Sequence, residues 1–320
     1  MRVFFTHMHI TLGASLALML RRAGFAVYTP DEEFTGAIRG PYQNSNALHI
    51  AGATQISAEE FLDTPMDAAI LMCQEQERGS WWELVADQKP DMTVVHYAGN
   101  EWVPYQRSVN HLLYTNNNVL THLTPRIQEQ RIYPILPYEA YQPPLKDRAE
   151  LAQPVVRSFI SDIKNWKRGY PDFCRLQALA RAQLPAVKIE NHEFRWGQPR
   201  DEVSKLMHTA LLGAHFKDSE GYGFSVLEMM CQGVPVIVPN YLFSRHVPVS
   251  EFVVNGLTGW VVTNTVEAMS VIDKCYGDRE YLQKYGDAAA ERVRMIIDEE
   301  EQVANLKQFM EKAVHYGSQT

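Results

Sequence analysis

Residues 218–239 read Asp-Ser-Glu-Gly-Tyr-Gly-Phe-Ser-Val-Leu-Glu-Met-Met-Cys-Gln-Gly-Val-Pro-Val-Ile-Val-Pro. This string specifies a tight loop, a short helix and a buried strand in succession. Gly221 and Gly223 let bare backbone approach a ligand closely. Ser225 suits an N-cap, residues 226–232 a short helix, and Gly233 the C′ position where a helix ends left-handed. Residues 234–238 then form a buried strand. A glycine loop feeding a helix N-terminus presents amide N–H groups and a positive dipole end, a combination that suits a diphosphate.

Two carboxylates bracket the loop, Glu220 and Glu228, with seven residues between them. Carboxylates accept hydrogen bonds from neighbouring hydroxyls, which is what a ribose or a hexose presents. Glu228 has a second reading: Ser225-x-x-Glu228 has the spacing of a capping box, in which the glutamate only closes the helix end.

Outward from this segment, short apolar runs alternate with helical patterns, as in α/β proteins with parallel sheets. Strands are expected at residues 3–6, 26–28, 68–73, 92–97 and 111–114, with a helix at 15–23 ended by Gly24. Pro134, Pro137, Pro143, Pro144 and Pro154 fall within 22 residues, so the interdomain linker is placed there. A second unit follows, with strands at 155–160 and 187–190 and helices at 171–182 and 203–212. Residues 280–316 are strongly helical. The expected division is an N-terminal acceptor-side domain over 1–150, a nucleotide-sugar domain over 151–295, and a terminal helix over 296–320 packing back toward the first domain.

A length of 320 residues suits two domains, and 46% hydrophobic with 21% charged residues excludes general disorder. The net charge is −8, with 11 Lys/Arg against 17 Asp/Glu in residues 1–150 and 11 against 6 in residues 157–217. The first balance speaks against a broad nucleic-acid face, and the second places positive charge where a diphosphate needs it. Cys73, Cys174, Cys231 and Cys275 have neither C-x-x-C nor metal-ligand spacing, and buried reduced thiols in a cytoplasmic protein are expected. The N-terminus reads as a strand rather than a signal peptide, and residues 10–20 are too short to span a bilayer.

The string closely resembles the donor-site signature of retaining glycosyltransferases of family four, E-G-F-G-x-x-x-L-E-A-x-x-x-G-x-P-V-I. The match runs Glu220-Gly221-Tyr222-Gly223, then Leu227-Glu228, Gly233 and Pro235-Val236-Ile237. Residues 251–260, Glu-Phe-Val-Val-Asn-Gly-Leu-Thr-Gly-Trp, are similar to the family's E-x-V-x-D-G-x-T-G-x segment. The resemblance implies a GT-B fold, two Rossmann-like domains facing a central cleft with a C-terminal helix closing the molecule. It implies a retaining hexosyltransferase using a UDP- or GDP-sugar, with a UDP-glucose-like donor favoured and no cofactor or metal required.

By the same resemblance, Glu220 and the backbone of Gly221, Gly223, Phe224 and Ser225 face the transferred sugar, and Glu228 holds the ribose. The family's G-R-x-x-x-x-x-K-G pattern is only partly kept in residues 161–169: the Gly-Arg pair is missing and Arg168-Gly169 stands in place of Lys-Gly. Lys164, Lys167 and Arg168 are the candidates for the diphosphate, and His96 is preferred to His7 and His9 as the N-domain histidine at the donor sugar. The leaving phosphate oxygen takes the acceptor's proton in such enzymes, so no strong side-chain base is required.

An epimerase or phosphorylase on the same scaffold, and a non-catalytic sugar-nucleotide-binding module, are the competing readings. Two acceptor classes stay open. The short N-domain is similar to small phage-encoded enzymes that glucosylate hydroxymethylated DNA bases, with Trp81, Trp82 and Trp102 as aromatics to assist, which would place the enzyme in a host cytoplasm. Saccharide or lipid-linked acceptors are the family's usual ones.

Overall fold

The structure is a computed structural model that describes residues 1–5, 10–31, 33–34, 52–72, 88–98, 110–115, 128–148, 152–160, 163–165, 168–193, 200–218, 220–243 and 248–317. Two compact units divide it: Met1–Leu136 with Ile297–Thr320, and Pro137–Ile296.

In the first unit, β1 (Arg2–Phe5), α1 (Ile10–Arg22), β2 (Ala26–Pro30), β3 (Thr54–Ile56) and α2 (Ala58–Asp63) lead into β4 (Ala68–Met72). They are followed by β5 (Thr93–Ala98), β6 (His111–Tyr114) and β7 (Gln128–Arg131). The seven strands form one parallel sheet in the order β3-β2-β1-β4-β5-β6-β7. The apolar runs Val3-Phe4-Phe5 and Ala68 to Leu71 are buried because both faces of a parallel sheet are covered. Gly24, at φ +86°, ends α1 as expected: its N–H reaches Arg21 O and that of Phe25 reaches Leu20 O, a Schellman closure. Residues 7, 9, 73, 81, 82 and 102 lie outside the described residues.

The C-terminal helix Glu299–Gly317 also belongs to this unit. It packs on α1 and β7, buries Leu306, Phe309, Met310 and Ala313, and is tied by Tyr133 N–H to Gln302 Oε1 at 2.8 Å.

The second unit runs β8 (Val155–Ser158), α3 (Gly169–Gln183), β9 (Lys188–Asn191), α4 (Arg200–His208), β10 (Leu212–Ala214), α5 (Phe224–Cys231) and β11 (Val236–Pro239). It ends with α6 (Asn240–Phe243), α7 (Val249–Phe252), β12 (Gly259–Val262), α8 (Thr265–Gly277) and α9 (Arg279–Ile296). Its five parallel strands order as β12-β11-β10-β8-β9. Counted along the chain within the unit, this is the 2-1-3-4-5 order of a doubly wound sheet, and the order reverses between β8 and β10. Ligands in such sheets bind beyond the carboxyl ends of the strands at that reversal.

Several expected boundaries move; the helix expected at 15–23, for one, already starts at Ile10. The helix expected at 203–212 stops at His208, because residues 212–214 are needed as central strand β10. The helical stretch 280–316 breaks at Ile297-Asp298, where the Asp298 carboxylate accepts Glu301 N–H at 3.0 Å and starts a new helix. Ser225 is not an N-cap: α5 begins at Phe224, and Gly223 takes the cap position at φ +83°.

Arg148 fixes the proline-rich stretch within this unit. Its buried guanidinium donates to His208 O, the last carbonyl of α4, and to Ala210 O just beyond the helix, and its backbone N–H reaches Gln283 Oε1 at 2.8 Å. Among the described residues no helix is long and apolar enough to cross a membrane.

Candidate functional site

The carboxyl end of β10 delivers His215, Phe216, Lys217 and Asp218 to the point where the strand order reverses. Glu220 follows in the loop, and its carboxylate meets three donors. His215 Nε2 lies 2.9 Å from Oε2, Lys217 Nζ 3.1 Å from Oε2 and 3.2 Å from Oε1, and Gly221 N–H 3.0 Å from Oε1. The side chains are 2%, 19% and 13% exposed for His215, Lys217 and Glu220. Burial alone would raise the Glu220 carboxyl. The Lys217 charge and the His215 hydrogen bond outweigh it and hold the group well below the usual carboxylate range. Glu220 is therefore an anion at neutral pH, able to accept hydrogen bonds but not to act as a general acid.

The loop is shaped by glycine. A Cβ on Gly223 would stand 2.3 Å from Val249 Cγ2, and its positive φ adds a backbone reason for glycine there. Tyr222 is buried edge-on against Phe224 at a centroid distance of 4.8 Å. The first intrahelical bond of α5 runs from Val226 N–H to Gly223 O at 2.9 Å, so the amides of Phe224 and Ser225 precede the helical ladder. Gly233, at φ +74°, occupies the C′ position as expected.

Glu228 lies one turn into α5, buried, and no capping box forms. Its Oε1 instead accepts Tyr141 Oη–H at 2.8 Å, so the proline-rich stretch orients this carboxylate. The second motif segment is a built turn. Thr258 Oγ1 accepts Val254 N–H and donates to Phe252 O, both at 2.8 Å, and Gly256 takes φ +72°. Gly259 leaves no room for a side chain, because a Cβ would meet Val236 O at 2.6 Å.

The basic candidates divide. Arg168 starts α3, its N–H donating to Asp218 Oδ2 at 3.0 Å and its exposed guanidinium standing 6.0 Å from the Tyr241 ring centroid. Gly169 presses on the Phe216 carbonyl, which seats the start of α3 against the β10 loop. Lys164 is exposed in a short 3-10 turn, Ile163–Asn165, and Lys167 lies outside the described residues. His96 belongs to the first unit, inside β5, where burial and then the neighbouring His111 lower it to about 4.

Sequence reasoning missed His215, Lys217 and Tyr141. The first two carry a signal in hindsight, because they fill the short interval between an apolar strand and the loop glutamate. Tyr141 carries none, since its contact with Glu228 spans 87 residues. Among the described residues no group of three His, Cys, Asp or Glu side chains is placed to hold a metal ion.

Residues 174–309 match the model of the family described as Glycosyl transferases group 1. No curated protein matches the sequence significantly. Three solved structures are similar over nearly their whole length. HepE of Anabaena in complex with UDP and glucose is 13% identical, with a TM-score of 0.69 over 99% of this chain and 100% of that one. A glycosyltransferase from Rickettsia africae is 11% identical, with a TM-score of 0.64 over 98% of each chain. The sucrose-phosphate synthase of Thermosynechococcus elongatus is 14% identical, with a TM-score of 0.61 over 97% of this chain and 98% of that one. At such identities the likeness speaks to fold. Residues 174–309 are thus similar to the family described as Glycosyl transferases group 1, in a chain of two parallel-sheet, Rossmann-like units whose fold is like that of these solved structures.

Proposed function

We propose that this chain is a retaining glycosyltransferase that moves a hexose from a nucleotide sugar, UDP-glucose or a close analogue, to an acceptor hydroxyl. The observation that carries the reading is the anionic Glu220 held at the strand-order reversal of the second unit, with the glycine loop and the start of α5 beside it. HepE, of the same fold, is solved with UDP and glucose bound, which supports a nucleotide-sugar donor.

In this reading the second unit takes the donor and the first unit takes the acceptor. Glu220 accepts hydrogen bonds from the sugar hydroxyls, assisted by the backbone at Gly221, Gly223, Phe224 and Ser225. Glu228, oriented by Tyr141, accepts from the ribose hydroxyls. Lys164, Lys167 and Arg168 are the candidates for stabilising the diphosphate as charge develops on it, and His96 is the candidate of the first unit. A carboxyl held so far below the usual range is a poor acid and a poor base alike, and the family resemblance assigns the acceptor's proton to the departing phosphate oxygen. The reading requires no metal ion, and turnover is expected to survive EDTA.

The test is incubation with UDP- and GDP-sugars, followed by nuclear magnetic resonance of the products. Slow release of free sugar with retained anomeric configuration is expected in the absence of an acceptor. Epimerised donor would indicate an epimerase, and binding without turnover a non-catalytic module. Transfer of labelled sugar to hydroxymethylated DNA, unmodified DNA and a panel of glycans and lipid-linked saccharides then separates the two acceptor classes.

A further inference from the structure

The Glu220 carboxylate is saturated. Two oxygens with two lone pairs each accept about four hydrogen bonds in all. Oε2 takes His215 Nε2 and Lys217 Nζ, and Oε1 takes Lys217 Nζ and Gly221 N–H. A sugar hydroxyl can therefore reach this carboxylate only when one of its present donors withdraws. The three donors differ in their freedom to do so. Gly221 N–H belongs to the adjoining peptide and cannot leave without unmaking the loop. His215 is buried at the end of β10, its backbone N–H bonded to Ile237 O at 2.9 Å, and its short side chain has nowhere else to go. Lys217 alone combines partial exposure with a flexible four-carbon stem. It also supplies one bond to each oxygen, so its departure opens an acceptor position on both.

An ammonium that leaves a carboxylate needs another anion. Residues 161–162 are Ser-Asp, without a cation of their own. Lys217 stands at the strand-order reversal, beside the β10 loop on which the start of α3 is seated.

We propose that Lys217 is a displaceable counter-ion, holding Glu220 until a nucleoside diphosphate sugar binds, then yielding both carboxylate positions to sugar hydroxyls and pairing with the diphosphate. The inference rests on the nucleotide-sugar reading above and adds a diphosphate ligand from the β10 loop to it. His215 remains on Glu220 throughout as a positioning residue.

The experiment compares the wild-type chain with Lys217→Met and Lys217→Arg, titrated with uridine by ligand-observed nuclear magnetic resonance and with UDP by calorimetry. GDP and ADP with their nucleosides are run in parallel. Loss of one charge-assisted phosphate contact should weaken the diphosphate by roughly ten- to a hundredfold in Lys217→Met. The nucleoside should bind Lys217→Met as it binds wild type, and Lys217→Arg should recover most of the diphosphate affinity. Lys217→Gln replaces the Met variant if that variant melts at a lower temperature. Equal UDP affinity in Lys217→Met and wild type would overturn the proposal. So would a parallel loss of nucleoside and diphosphate, which would mean that Lys217 acts only by holding the loop. A wild-type chain that binds none of the diphosphates would instead refute the donor-site reading itself.

Discussion

Tyr141 Oη donates a 2.8 Å hydrogen bond to Glu228 Oε1, joining the proline-rich stretch to the helix that follows the glycine loop. Both side chains are buried, so the bond is not screened by water. Tyr141→Phe removes one bond to a charged acceptor, typically about 1.5–3 kcal/mol. UDP should bind at least tenfold more weakly to the variant, with the fold intact by circular dichroism. Unchanged calorimetric affinity would detach Glu228 from nucleotide binding.

Gly223 is fixed by backbone and packing together. Gly223→Ala must hold a left-handed conformation, at about 1–2 kcal/mol. Its methyl must also displace Val249, whose Cγ2 would lie 2.3 Å away. A loss of roughly 2–4 kcal/mol in urea unfolding is expected from strain and overpacking combined.

Arg148 closes the end of α4 from 60 residues away. Burial lowers its guanidinium to about 10, with Asp287 opposing, so it stays charged at neutral pH. Arg148→Met keeps much of the stem but leaves His208 O and Ala210 O without these donors. The expected destabilisation is about 2–4 kcal/mol. A denaturant midpoint equal to wild type would contradict the role.

The first unit should weaken in mild acid. His96 moves from 6.5 to about 4 on folding, through burial first and the charge of His111 second. Between these values the unfolded chain binds more protons, so stability falls as pH drops through the window and is fully present above 6.5. The contribution from this group alone is on the order of 3 kcal/mol. Glu220 acts in a lower window: its folded carboxyl titrates well below the unfolded value of 4.5, so its contribution persists above that value. Thermal unfolding from pH 7.5 to 4.5 should show a slope that flattens in His96→Gln.

Thiol labelling of the native chain at pH 8 should spare Cys231 and Cys275. Burial raises both, Cys275 to about 12, which leaves almost no thiolate to react. Cys174 is half-buried and should label first among the described cysteines, as read by peptide mass mapping.

The sequence disclosed the interior strands because parallel strands covered on both faces must be apolar runs, as in Val3 to Phe5 and Ala68 to Leu71. It did not disclose β3 or β7, since Thr54–Ile56 and Gln128–Arg131 are edge strands that bury little and read as polar loops. Helix and strand periods are indistinguishable over so short a run as Leu211 to Ala214, so the helix expected at 203–212 runs into the first residue of β10. Within the site, Glu220, Gly223, Glu228 and Gly233 were visible because loop, helix and strand follow one another locally. Ser225 misled: its hydroxyl suits a cap, but the left-handed turn that starts α5 demanded glycine two residues earlier. Tyr141 was out of reach because its partner is supplied by the tertiary fold alone.

The chain passes between its two units twice, after Leu136 and again after Ile296. The second unit is therefore an uninterrupted cassette of sequence, whereas the first is a discontinuous body completed only by residues 297–320. A gene fragment encoding residues 137–296 keeps its sheet together with Glu220, Glu228 and Tyr141. One encoding only residues 1–136 lacks the helix that covers α1 and β7, and would expose the surfaces that Phe309 and Met310 bury. In recombination between related chains, a cut that exchanges everything after residue 136 would carry away part of the first unit. Exchange of the interior cassette alone would preserve both cores.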